Sequence, residues 1–401
     1  MAEKAWSSAC SGARARLERG TAAAVRGLSA LGTRMLSGLF GAAGASGRQR
    51  KGGRVDTGPA VPLDEERGRA QALHDHARSV VAALLEAVRW GGRPDLEPAA
   101  SAVRQLLASV SRNPNALLSL TRLKDPDRYT SMHSVNVCVF ALAFGQQLGL
   151  GRRGLYELGL GALLHDLGKM RVPRDILDKA GPLTAAESRR MRMHPAHGRD
   201  LLAAHGDLPQ AALAAVYLHH ERHDGTGYPE GLSGREIPLF ARVVALCDVY
   251  DALTSPRGYS APVSELVALR TLCEGRGTAF HPRLVDTFIR CIGVYPVGSL
   301  VVLSSGEIAL VTSVHPEDRS RPVVKPLFDS KQRPYRTPRS LDLHTGPRDA
   351  AGRPTTIRKV LDPAGPQRGS GMRNGGAPPP RPECALTQGG GATLRPFDES
   401  A

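Results

Sequence analysis

Apolar residues recur at helical spacing over most of the chain, and the period changes near residue 295. Val80, Leu84, Ala87 and Val88 mark one amphipathic face, and Val103, Leu106, Leu107 and Val110 mark a second, with Gly91-Gly92-Arg93-Pro94 between them. Asn113-Pro114 then reads as a cap followed by a first-turn proline. From His133 to about Gly293 the helical period continues, interrupted by turns at Gly149-Leu150-Gly151, Gly181-Pro182 and Gly225-Thr226-Gly227. After Tyr295-Pro296 the residues become β-branched, and two predicted strands, 300–302 and 308–314, flank the turn Ser304-Ser305-Gly306-Glu307. A third strand is predicted at 323–327.

The expected fold class is mainly α, with a leading helical module at 61–125, a central helical domain at 126–294 and a small C-terminal β module at 295–344. Residues 1–60, rich in Ala, Gly, Ser and Arg, and the Pro/Gly/Arg-rich residues 345–401 read as disordered tails.

Composition changes this picture little. The 401 residues are 41% hydrophobic but only 4% aromatic, so the core should be packed mainly by Ala, Leu and Val. The formal charge of +15 would suggest a nucleic-acid partner. About seven of the excess positive charges fall in 1–60 and about three after 345, so the folded part lacks a strongly basic surface and no specific nucleic acid is expected. The six cysteines show no CxxC pair, which fits reduced thiols and a cytoplasmic location. Arg26 and Arg34 interrupt the one stretch near the N-terminus that could have been apolar, and no transmembrane segment is expected.

The candidate chemistry lies in the central domain. His133 shares a helical stripe with Val137, Phe140 and Phe144, so it points inward. Leu158, Ala162 and His165 share a face, with Asp166 beside them and Gly168 closing the helix. A capping box, Thr184 to Glu187, begins a helix expected to run on through Met191 to His194. A further helix ends in His219-His220, and Asp248 takes a core position after Ala241, Val244 and Ala245. A single inward histidine is usually just a hydrogen-bonded core residue. Five imidazoles and two carboxylates in one core instead imply cations, because buried unpaired carboxylates are costly.

Nitrogen and oxygen donors without thiolates favour Mn, Fe, Ni, Co or Zn, and seven ligands are enough for two divalent ions, with Asp166 as the bridge. A two-metal site of this kind activates a hydroxide for in-line displacement at phosphorus. Lys169, one turn beyond the bridge, can neutralise a non-bridging phosphate oxygen.

These residues resemble the HD-GYP family of bacterial cyclic di-GMP phosphodiesterases, a branch of the HD phosphohydrolase superfamily. The likeness runs from about His133 to Cys291 through His165-Asp166-Leu167-Gly168-Lys169, Ile176 to Thr184, His194-Pro195, His219 to Pro229 and Asp248 to Thr254. It implies an HD-type helical bundle with His133, His165, Asp166, His194, His219, His220 and Asp248 as metal ligands. It also implies that Asp166 and Lys169 are catalytic, that Tyr228 stacks on a guanine and that Arg257 contacts the ligand, with Gly225 and Gly227 allowing a tight backbone path beside it.

Three departures modify the expectation. Three-metal members carry a Glu four residues before the first ligand His, whereas this chain has Tyr129, so two ions are expected. Ser260-Ala261 follows Tyr259 where the family has a basic pair, which removes one phosphate contact. His281 replaces an Asp before Pro282 at a helix start, a capping position rather than a ligand position. The activity implied is hydrolysis of cyclic di-GMP to pGpG, with GMP as a further product. The alternative is a catalytically weak cyclic di-GMP receptor that signals through a protein partner; a homodimer is left open.

Overall fold

In the computed structural model of the chain, residues 61–361 are described apart from 123–128, 180, 205–207, 257–261, 316–317, 319, 347 and 349–351. The expected leader at 1–60, Arg257, and the part of the expected tail beyond 361 lie outside the described residues.

The first helix, α1 (Leu63–Arg89), buries a stripe of Ala70, Ala77, Val81, Leu84 and Val88. It packs against α2 (Glu97–Arg112), α3 (Pro114–Leu120) and α4 (Tyr129–Gln147). Asn113 caps α3, its side-chain oxygen accepting from the Asn115 N–H at 3.0 Å, as the Asn-Pro pair predicts. Glu66 lies on the buried stripe of α1 and stays ionised there because Ser109 Oγ and the Arg112 guanidinium donate to it at 2.6–2.9 Å. That cluster ties α1 to α2.

The centre of the bundle is α4. Every residue from His133 to Gly145 is buried, the mark of a helix surrounded by others rather than lying on a surface. It contacts α1, α2, α5 (Arg152–Leu164), α10 (Leu239–Thr254) and α12 (Pro282–Ile292). A tight 3-10 turn at Leu167–Arg171 follows α5. Gly168 sits inside this turn rather than closing the helix: the backbone bends directly after the His-Asp pair so that the turn can dock on the next segment.

Between these come α6 (Arg174–Leu177), α7 (Ala185–Met191), α8 (His194–Ala203) and α9 (Gln210–Leu218), with α11 (Glu265–Glu274) following α10. The Thr184/Glu187 capping box opens α7. The helix expected to run through to His194 instead ends at Met191, and α8 restarts at His194 with Pro195 in its first turn. Proline lacks an N–H and disfavours continuation from the preceding turn. Among the described residues no helix is long and apolar enough to cross a membrane.

Five antiparallel strands follow, in the order β4-β3-β2-β1-β5. They are β1 (Leu300–Leu303), β2 (Ile308–Ser313), β3 (Val323–Phe328), β4 (Leu341–Asp342) and β5 (Ile357–Leu361). β1 and β2 pair with Leu300 opposite Leu310, and Gly306 at φ 87° allows the turn between them. The fifth strand corrects the expectation of a disordered tail from 345. Ile357 and Val360 pack beside the small core of Val301, Leu303, Ala309, Val311 and Val324, and β1 supplies a backbone partner that a local composition reading does not register. Arg122 joins the sheet to the helices, donating to Ser299 Oγ at 2.9 Å and pairing with Glu265.

Candidate metal centre

Five helices deliver the ligand residues, from within or at their ends. α4 brings His133, the end of α5 brings His165 and Asp166, the start of α8 brings His194, the end of α9 brings His219 and His220, and α10 brings Asp248. Asp166 is the meeting point. Its Oδ2 lies 3.3 Å from His165 Nε2 and 3.8 Å from His133 Nε2, whereas its Oδ1 lies 3.4 Å from His194 Nε2 and 3.9 Å from His219 Nε2. Each oxygen therefore faces a different pair of imidazoles. His133, His165 and Asp166 form one group with ligand atoms all within 4.8 Å of one another, and His194, His219 and His220 form another. Asp248 joins the first through Oδ1, 3.1 Å from His133 Nε2.

The ring orientations follow from local backbone geometry. His165, His194 and His219 each donate Nδ1–H to the carbonyl three residues earlier, of Ala162, Met191 and Val216 respectively, at 2.8 Å. With Nδ1 protonated, Nε2 is left as a lone pair aimed at Asp166, the arrangement that fixes the tautomer of a metal-ligating histidine. His133 is anchored differently. Its Nδ1 donates to Asp251 Oδ2 at 2.8 Å, and Asp251, fully buried, also accepts from Asn136 Nδ2 at 3.0 Å and Ser255 Oγ at 3.1 Å.

Electrostatics separate the groups. Burial pushes His194 down to about 3, His219 to about 4 and His220 well below the usual imidazole range. Burial also opposes charge on His133, but hydrogen bonds to Asp248 and Asp251 outweigh it and hold the ring up at about 9. Asp166 is buried, which would raise its carboxyl, yet His165 and the Lys169 ammonium keep it well below the carboxylate range. Burial likewise opposes ionisation of Asp248, and His133 overcomes it.

These residues fit divalent cations. His165 Nε2 and Asp166 Oδ1 are buried without a hydrogen-bond partner, a costly arrangement unless a cation sits among them. Metal ligation requires neutral imidazoles and ionised carboxylates, so a bound cation would take the place of the Nε2 proton that Asp248 and Asp251 favour on His133.

Lys169 Nζ donates to Asp166 Oδ2. Gly225 has φ +76°, and a Cβ on Gly227 would lie 2.4 Å from the Arg222 nitrogen, so both glycines are needed where the loop doubles back. Tyr228 stacks on His220, with ring centroids 4.7 Å apart at 21°. Tyr129 opens α4, and its side chain lies outside the described part. His281 occupies the N-cap of α12 without a side-chain capping bond, its ring against that of His223 with centroids 5.2 Å apart.

Sequence reasoning missed four residues here. Asp251 falls one helical turn after Asp248, so its spacing was available; its pairing with His133 on a distant helix was not. Asn136 lies one turn after His133. Glu221 Oε1 accepts from the Glu230 and Gly231 N–H groups at 2.7 and 3.1 Å and so holds the loop that carries Tyr228. The Arg192 guanidinium lies 5.1 Å from the Tyr228 ring centroid, with Nε and Nη2 buried and lacking partners.

The HD domain family model matches residues 104–284, and the model of a KOW domain associated with HD domain matches 300–348. A cyclic di-GMP phosphodiesterase of Pseudomonas aeruginosa is 42% identical over 273 residues, which cover 68% of this chain and 66% of that protein. A cyclic di-GMP phosphodiesterase response regulator of Xanthomonas campestris pv. campestris is 38% identical over 198 residues, covering 48% of this chain and 52% of its own. A 3'3'-cGAMP-specific phosphodiesterase of Vibrio cholerae serotype O1 is 36% identical over 168 residues, covering 42% of this chain and 36% of its own. The chain thus spans about two thirds or less of the length of these relatives. The helical bundle and its His–Asp cluster define an HD domain. Within that class, the chain belongs to the HD-GYP family.

Proposed function

We propose that the chain is a metal-dependent phosphodiesterase that opens cyclic di-GMP to pGpG, using two divalent transition-metal ions that share Asp166. The observation that carries this reading is the division of the Asp166 oxygens between two groups of imidazoles. His133, His165 and Asp248 would hold one ion, and His194, His219 and His220 the other. When bound, the ions supply Lewis-acid charge and lower the pKa of a water nucleophile. In the net reaction the water oxygen forms a bond to phosphorus, the bond from phosphorus to a ribose 3' oxygen breaks, and that oxygen takes up a proton.

The chain's own residues hold the substrate. Lys169, beside the bridge, neutralises charge on the phosphoryl oxygens. Tyr228 lies at the rim next to His220 with an aromatic face suited to guanine, and Arg192 supplies a cation beside that face. Relatives are named for cyclic di-GMP and for 3'3'-cGAMP, and two guanines or one guanine and one adenine differ only at the base edge.

Manganese- or iron-loaded full-length protein should therefore convert cyclic di-GMP to pGpG, with chromatography revealing whether GMP follows, and Asp166→Ala should abolish the product. Absence of any metal-dependent product overturns the proposal; tight binding without turnover would instead identify the receptor alternative. Running 3'3'-cGAMP and unrelated nucleotides in parallel tests the base preference, and equal rates across all of them contradict it.

A further inference from the structure

The polar chain that orients His133 does not end at Asp251. Asp251, as a carboxylate, can only accept hydrogen bonds. Its Oδ1 takes the Asn136 Nδ2–H at 3.0 Å, so the other amide atom, Asn136 Oδ1, points away from it and lies 3.2 Å from His74 Nε2. An oxygen there requires His74 to donate, which assigns the amide orientation and the His74 Nε2–H form together. The order is continuous: His74 donates to Asn136, Asn136 to Asp251, and His133 Nδ1 to Asp251, leaving His133 Nε2 as the ring nitrogen that faces Asp248 and Asp166.

His74 comes from α1, and its place on that helix is unusual. It lies on the stripe that otherwise buries Ala70, Ala77, Val81, Leu84 and Val88, and only 3% of it is exposed. An apolar residue would pack there without a partner, whereas an imidazole must be hydrogen-bonded. α1 also lies outside the matched HD domain segment, which begins at residue 104. The helix packs on α4 and on the 3-10 turn that carries Lys169, the two elements that place His133 and Lys169 beside Asp166 Oδ2.

We propose that His74 is a positioning residue for the metal centre: through Asn136 and Asp251 it fixes the orientation and tautomer of His133, and so couples the seating of the leading helix to metal affinity at the His133 end. The coupling rests on the two-ion reading above. Displacing α1 would loosen the ligand held by this chain of side chains while leaving the histidines that rest on backbone carbonyls in place. An outer-shell partner of this kind changes metal affinity by about 10–100-fold.

Cobalt(II) titration of the chelated full-length protein tests it, because the visible absorption of the ion reports ligand geometry independently of activity. Wild type should bind two ions, and failure to bind them removes the metal reading itself rather than the coupling. His74→Leu, close in volume and without a donor, should weaken one of the two ions about tenfold or more and change its spectrum, leaving the other unchanged. His74→Gln, which keeps a donor at similar reach, should recover much of that loss. Asn136→Asp, which turns the donor facing Asp251 into an acceptor, provides an independent reading and should weaken the same ion. Unchanged affinities in a folded His74→Leu or Asn136→Asp variant overturn the proposal, as do equal losses at both ions or equal losses in His74→Leu and His74→Gln.

Discussion

His165, His194 and His219 each rest on a backbone carbonyl of their own chain segment; at His133 that role falls to a buried carboxylate. The carbonyls belong to the last turn before each histidine, so local helical geometry alone sets the tautomer. Asp251 lies on α10 and His133 on α4, so that end depends on tertiary packing and on a full negative charge. The consequence appears in the protonation states: burial pushes His194 down to about 3, whereas Asp248 and Asp251 overcome burial and raise His133 to about 9. One end is built to stay neutral, and the other attracts a positive charge.

The largest effect should come from removing what the two ends share. Asp166→Asn takes away the charge that both groups face, and turnover should fall about 10³-fold, with both ions weakened in metal analysis. Retention of one ion at wild-type affinity would show that the carboxylate serves only one end.

A separation of the two ends should follow from Asp251→Asn. The amide keeps its size but not its charge, so the His133 ion should weaken about 10–100-fold while the His194 ion stays in place. His194→Ala should give the opposite pattern. Parallel losses at both ends in both variants would erase the distinction.

Metal-free protein should show the contrast in its pH dependence. For His194 and His219 the folded values lie below the usual 6.5, so their contribution to stability is fully present above about 6.5 and is lost as pH falls through about 4 and about 3. For His133 the folded value is raised, so its contribution is fully present below about 6.5 and is lost as pH rises through about 9. Thermal melts after chelation should therefore decline on both sides, with Asp251→Asn flattening only the alkaline side. A flat alkaline limb in the wild type would contradict the assigned charge.

The smallest effect concerns the packing beside Asp166. A Cβ on Gly168 would lie 2.0 Å from the His194 carbonyl oxygen and 2.4 Å from the Gly198 nitrogen. Gly168→Ala should destabilise the fold by about 1–3 kcal/mol by forcing the 3-10 turn off α8, and calorimetry would measure it. No change in melting temperature would mean that the turn and α8 are not closely docked.

Much of this architecture was legible in the sequence because it depends on local pattern. The helical period located the bundle, the Asn113-Pro114 cap and the Thr184/Glu187 box marked helix starts, and an inward carboxylate at Asp248 signalled cations. Local pattern also misled. It ran α7 through to His194 across a break set by Pro195, and it read residues 345 onward by composition although β1 recruits β5. The polar chain from His74 to His133 was not legible, since its members lie on three helices and meet only after packing. The same holds for Lys169: its spacing placed it near Asp166, while its contact with the Asp166 carboxylate depends on the 3-10 turn.

Anomalous diffraction from crystals of the manganese-loaded protein tests the central claim most directly. Two peaks about 3.5–4 Å apart are expected, one beside His133, His165 and Asp248 and one beside His194, His219 and His220, with Asp166 between them. A single peak, or two peaks that do not share Asp166, would contradict the account.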